Sequence, residues 1–136
     1  MEIGVRAFTT SFNRISYVLE NEVYIDKSDI TPPKVPQDPV SLNLNKYKVI
    51  WDTGATHSAV TRKVIDECGL IPVTRTIVNT ASGPKETGIF LADIYLPNKV
   101  IVRSVHVTEC EIVTEAELLI GMDIISKGDF AVTNKE

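Results

Sequence analysis

The sequence predicts a mainly β domain with two short helices, and three observations carry that expectation. Its β-branched and aromatic residues fall in short runs separated by turn residues, as strands require. Helix signals occur in only two stretches, each followed by a glycine that can stop the helix. A chain of 136 residues with 43% hydrophobic and 24% charged residues has the composition of one globular domain with an ordinary core. The whole of 1–136 is therefore expected to form one domain, with an N-terminal hairpin over 1–25, a proline-rich loop over 26–41 and a core over 42–133.

Val5 to Phe12 and Ile15 to Ile25 are strand-like runs joined at Asn13-Arg14, an expected hairpin. Asp26 to Pro39 holds Pro32, Pro33, Pro36 and Pro39 and reads as an extended loop. Strand signals resume at Leu42-Asn43-Leu44 and run from Tyr47 to Trp51, then return briefly at Ala59-Val60. Thr61 can cap a helix over Arg62 to Cys68, and Gly69 supplies its left-handed stop. Val73 to Thr80 and Thr87 to Leu96 form a long hairpin around a small, polar tip, Ala81 to Glu86. Pro97-Asn98 turns the chain into a strand over Val100 to Val107. Leu118-Leu119-Ile120 is a short buried strand stopped by Gly121. Met122 to Ser126 can make one or two helical turns, and Phe130-Ala131-Val132 a terminal strand.

The formal net charge of −4 provides no basic field for nucleic acid or an anionic membrane. No apolar run approaches the roughly 20 residues that a membrane span needs. Met1 to Thr10 lacks a basic region followed by an apolar one and so does not read as a signal peptide. The cytoplasm is the expected compartment, where Cys68 and Cys110 are expected to be reduced and simply packed.

Chemistry points to Asp52. The strand Val49-Ile50-Trp51 runs directly into Asp52-Thr53-Gly54, an acid at a strand end followed by a turn whose glycine admits an otherwise strained backbone. One acid cannot serve as general acid and general base in a single step. Asp-Thr-Gly occurs once, and the chain is too short to hold two copies of its fold. A catalytic Asp52 therefore draws its second carboxylate most economically from a second copy of the chain.

Asp52-Thr53-Gly54-Ala55-Thr56-His57-Ser58 resembles the active-site loop of retropepsin-like aspartic proteases, especially those of retrotransposons and of bacterial and phage proteins. Two further landmarks stand in the family's order. A hairpin tipped by Ser82-Gly83-Pro84 lies where the family has its substrate-covering flap. Leu119-Ile120-Gly121-Met122-Asp123 is similar to its second landmark, two hydrophobics and a glycine leading into a short helix. The resemblance covers roughly residues 45 to 133, counting whole motifs as context for the short one.

It implies a closed, mostly antiparallel β-barrel-like fold and a homodimeric aspartic endopeptidase, with the active site on the dimer axis. It implies no cofactor and no metal. Asp52 of each chain would be catalytic, the pair sharing one proton and activating a water. Thr53, Gly54, Ala55 and Thr56 would support the loop, with Thr53 bonding the partner's loop and Gly54 presenting backbone groups. Ala81, Ser82, Gly83 and Pro84 would be the flap over an extended peptide, with Gly83 its hinge or tip. Leu119, Ile120, Gly121 and Asp123 would be the structural landmark. Pepsin-like enzymes usually have Ser at the place of Ala55, and the missing hydroxyl implies a mildly acidic to near-neutral optimum.

The same residues admit other readings. Asp52 could be an ordinary turn aspartate. His57 lies near it, but triads are recognised by geometry and not by spacing. His57, His106, Cys68 and Cys110 lack the short paired spacing of a zinc site. Asp123 could be a second acid within the chain, but at a helix start it reads as a carboxylate satisfied by backbone N–H groups and the helix dipole. Trp51 reads as core or interface, and Glu109, Glu111, Glu115 and Glu117 as a solvated face. A phosphate-binding loop needs a larger two-domain chain. A non-catalytic peptide-binding or dimerisation module of the same fold is the alternative function.

Overall fold

The computed structural model describes residues 7–13, 16–28, 40, 42–97 and 100–133. Its elements are β1 (Glu20–Lys27), β2 (Asn45–Trp51), β3 (Ala59–Val60), α1 (Arg62–Cys68), β4 (Pro72–Thr80), β5 (Gly83–Leu96), β6 (Val100–Glu109), β7 (Leu118–Ile120) and α2 (Met122–Ile125). The strand order is β1-β2-β7-β3-β6-β5-β4, and β1 also pairs with β5. That extra pairing closes β1, β2, β7, β3, β6 and β5 into a barrel, with β4 attached outside it along β5.

The barrel follows from alternation. In β1, Val23 and Ile25 are buried while Glu22 and Lys27 are exposed, the period-two pattern of a sheet with one wet face. β1 pairs antiparallel with β2 from Glu20 to Ile25 and with β5 from Tyr24 to Lys27, so it bridges the two sides of the barrel. Val23, Val49, Val60, Val107, Leu118 and Ile120 are completely buried inside it. Asp93 is buried too, where the β5–β6 register shifts, and it accepts the Ser104 N–H at 2.8 Å. Ser104 takes a left-handed φ of 55° there, so the carboxylate satisfies a bulge that the ladder cannot.

Helix α1 forms where expected and ends at Gly69, whose φ of 64° and N–H to the Ile65 carbonyl make a left-handed cap. Thr61 stands at its N-cap but does not cap it, because the hydroxyl donates to Glu117 instead.

Several local expectations change. Residues 7–13 carry no strand, so the opening hairpin does not form there. One edge of β1 is taken by β2 and the C-terminal half of the other by β5, and Phe8 packs its ring 6.0 Å from Trp51 instead. Leu42 and Asn43 are a turn, with Asn43 at φ 57° and its N–H bonded to the Val40 carbonyl. Phe130 to Val132 is not a strand either. Phe130 instead lies 5.8 Å from Trp51 on ring centroids. The hairpin tip is tighter than expected: Gly83 to Glu86 belong to β5, and only Ala81 and Ser82 make the turn. Most of the proline-rich loop, residues 29–39, lies outside the described residues.

Candidate active site

Asp52 stands at the end of β2, half-buried, where the chain leaves the barrel wall. β2 runs parallel to β7, with Trp51 beside Ile120, so the ends of both strands meet at one place. The Asp52 N–H donates to the Ile120 carbonyl at 2.8 Å and continues the ladder by one bond. The Ala55 N–H reaches the Asp52 carbonyl at 3.2 Å, which makes Thr53-Gly54 the centre of a tight turn.

The turn aims a donor at the carboxylate. The Gly54 N–H donates to Asp52 Oδ1 at 2.9 Å. Gly54 is not in a left-handed conformation, contrary to the expectation from sequence. Its reason is proximity: a Cβ there would lie 3.2 Å from Asp52 Oδ1. Thr53, Gly54 and Thr56 are exposed and Ala55 is half-buried.

The rest of the loop wraps around Gly121. Met122 N–H bonds the Ala55 carbonyl at 2.8 Å, and Asp123 N–H the Thr56 carbonyl at 3.2 Å. A Cβ on Gly121 would lie 2.8 Å from the carbonyl oxygens of both Ala55 and His57. Only glycine allows the two segments to approach so closely. Leu119 and Ile120 are the β7 residues that deliver it, and Ile120 is wholly buried.

Asp123 is held differently from the expectation. Its carboxylate does accept one local backbone N–H, from Ile124 at 2.9 Å. Its other partners are 65 residues away: it accepts the Ser58 N–H at 3.0 Å and the Ser58 hydroxyl at 2.8 Å. Ser58 is fully buried, and its oxygen accepts the Gly121 N–H at 3.2 Å. Ser58 escaped the sequence reading, since nothing local distinguishes it from any serine that follows a turn.

Ala81, Ser82, Gly83 and Pro84 form the far end of the β4–β5 hairpin, with Gly83 at φ 105° directly after the turn. Neither Ala81 nor Ser82 has a left-handed φ, so Gly83 alone absorbs the strained conformation. Most side chains from Val73 to Glu86 are exposed, Ile77 by 70%, so the hairpin projects from the barrel as an uncovered ribbon. A hollow of about 700 Å³ opens at its root, lined by Ile65, Leu70 and Phe90, and residues 52–58 are not part of its wall.

Trp51 is flanked by Phe8 and Phe130, and its indole N–H donates to Asn21. His57 is exposed. Three of the four glutamates meet cations: Glu109 meets Arg62 at 3.3 Å, Glu115 meets Lys48 at 3.4 Å and Glu117 meets Lys63 at 4.0 Å. Among the described residues no three His, Cys, Asp or Glu side chains converge on a point fit for a metal. No helix among them is long and apolar enough to cross a membrane.

Cys68 and Cys110 are free thiols. Burial pushes Cys110 from 9.0 up to about 11, helped by Glu109 and Glu117, and burial also raises Cys68. Both thiols therefore stay protonated in the folded chain at pH values where the unfolded chain would ionise them. The stability Cys110 contributes in this way is complete below pH 9.0 and is lost as pH climbs towards about 11. Thermal melts in an alkaline series are expected to decline over that window, and Cys110→Ala to flatten the decline.

Residues 39–127 match the model of a family described as "gag-polyprotein putative aspartyl protease". No curated protein matches the chain. Among solved structures, the chain is similar to the EIAV protease complexed with the inhibitor HBY-793. The TM-score is 0.56 and the identity 16%, over 87% of this chain and 93% of that one. It is also similar to the solution structure of the simian foamy virus (mac) protease, with a TM-score of 0.53 and 16% identity over 79% and 92%.

Proposed function

The chain belongs to this family of gag-polyprotein aspartyl proteases, and from that premise we propose that it is an aspartic endopeptidase acting as a homodimer. The observation that carries the proposal is a single Asp52 at a strand end, with a backbone donor on one oxygen and a loop clamped around Gly121. Two such carboxylates, one from each chain, share one proton. The ionised oxygen takes a proton from a water, which attacks the peptide carbonyl, while the protonated carboxyl donates to the carbonyl oxygen. The tetrahedral intermediate then collapses as its amine leaves with a proton. Thr53, Gly54, Ala55 and Thr56 hold the loop in this scheme.

The substrate is a peptide in extended form, and the β4–β5 hairpin is its flap. A two-stranded ribbon with most of its side chains in water is only marginally stable alone. It gains partners by closing on a strand-like ligand, which brings its own N–H and C=O groups. The 1–136 span works as one retropepsin-like domain in this reading.

The test is turnover of a peptide library together with sedimentation of the 15.0 kDa chain. Cleavage sensitive to a pepstatin-type inhibitor, by a dimer, is the expected result. A strict monomer would leave Asp52 without its second carboxylate, and peptide binding without turnover would make the chain a non-catalytic module. Ala55 adds a further prediction. A serine hydroxyl at that position stabilises ionised carboxylates, so Ala55→Ser is expected to move the pH–rate optimum to lower pH.

A further inference from the structure

We propose that Asp123 is a positioning residue that sets the Asp52 loop through Ser58. The inference rests on the proposed protease reading and adds a device to it. The loop from Asp52 to Ser58 is fixed at its first residue by the ladder bond to Ile120. At its last residue, Ser58, the carbonyl accepts the Thr108 N–H of β6 at 3.4 Å. The N–H and the hydroxyl of Ser58 are both taken by the Asp123 carboxylate.

The hydrogen-bond directions are determined. An ionised carboxylate only accepts, so the Ser58 hydroxyl must give its proton to Asp123. Its oxygen is then free to accept the Gly121 N–H at 3.2 Å. Ser58 is fully buried, so its N–H and hydroxyl must find their partners within the protein. Three residues thus lock into one arrangement, and it presses the Ala55 and His57 carbonyls against Gly121. Losing the carboxylate loosens the far end of the loop, which then keeps only the backbone bonds from Thr108, Met122 and Asp123, while the barrel wall keeps its ladder. The carboxylate of Asp52, at the near end, then loses its fixed aim.

This separates Asp123 from a helix cap. A cap needs only the Ile124 N–H, which any short acceptor at that place could satisfy. The clamp needs two further acceptor sites facing Ser58. Asparagine has one acceptor oxygen, so Asp123→Asn can keep the Ser58 hydroxyl bond but turns an amide N–H₂ towards the Ser58 N–H. It should fall between wild type and Asp123→Ala.

The experiment compares wild type, Asp123→Asn, Asp123→Ala, Ser58→Ala and the double alanine variant by two readouts. In amide hydrogen exchange, Asp123→Ala is expected to raise exchange about tenfold or more at residues 52–58 while β1, β5 and β6 keep their protection. In peptide turnover, kcat is expected to fall about a hundredfold in Asp123→Ala with KM changed by under about twofold, and less in Asp123→Asn. The double variant should lose no more than the worse single one, because both remove the same clamp. Exchange that rises throughout the barrel, or remains unchanged in the loop, overturns the proposal. So does a double variant whose losses multiply. A wild type without turnover overturns the protease reading alone, and the exchange pattern then decides the clamp by itself.

Discussion

Gly121→Ala is expected to destabilise the chain by about 3 kcal/mol, the range for forcing extra atoms into a packed site. The φ of Gly121 is −99°, which alanine adopts without strain, so the cost is steric. The added Cβ would sit 2.8 Å from two carbonyl oxygens and 2.9 Å from the His57 carbonyl carbon, all of them backbone atoms. A flexible side chain could swing aside, but these are backbone atoms, and the Ala55 carbonyl is fixed by the bond from Met122. Relief therefore requires the loop and β7 to separate, which stretches the bonds that define the candidate site. The melting temperature should fall by about 10 °C for a domain of this size. Peptide turnover should fall further than the loss of folded protein accounts for. A thermal melt beside an activity assay checks both, and a variant stable to within about 0.5 kcal/mol would show that the two segments are not tightly apposed.

Asp52→Asn is expected to leave the fold in place and reduce kcat by about a thousandfold or more, since both proton transfers run through this side chain. The amide oxygen can still accept the Gly54 N–H that Oδ1 now accepts at 2.9 Å, so melting should change little. The more demanding measurement is a mixture. If each site takes one Asp52 from each of two chains, a variant protomer poisons its wild-type partner. With equal amounts and free exchange, about one quarter of the dimers carry two aspartates, by random pairing across a two-fold interface. Activity per wild-type chain then drops to about half, following the same pairing rule. Unchanged activity per wild-type chain would mean that each chain works alone.

The two predictions differ in how far the sequence foretold them. Asp52 was legible because a strand pattern ends at it and because the tripeptide it begins stands in order with two later landmarks. Gly121 was legible as a stop after Leu118-Leu119-Ile120, but its closest neighbours, Ala55 and His57, lie more than sixty residues earlier. Ser58 was invisible for the same reason: its partners are Asp123 and Gly121. Asp123 was recognised, yet its local bond to Ile124 supplied a sufficient explanation and hid the distant ones.

The missed elements share a cause. Residues 7–13 and 130–132 have strand composition, but composition records the ability to pair and not whether the backbone is brought beside a strand. Phe8 and Phe130 pack against Trp51, as apolar side chains do when their backbone has no strand partner. Asn43 was read with its apolar neighbours, although asparagine tolerates the left-handed turn it adopts.

Periodicity, glycine placement and a short acidic motif are local properties, and by themselves they determined that this chain is mainly β, where α1 stops and which aspartate ends β2. The tertiary structure decided what closes the barrel, through the pairing of β1 with both β2 and β5, and what holds the Asp52 loop, through Ile120, Gly121, Asp123 and Ser58. Those are contacts between residues far apart in the chain, whose energy exists only once the backbone has brought them within hydrogen-bond distance.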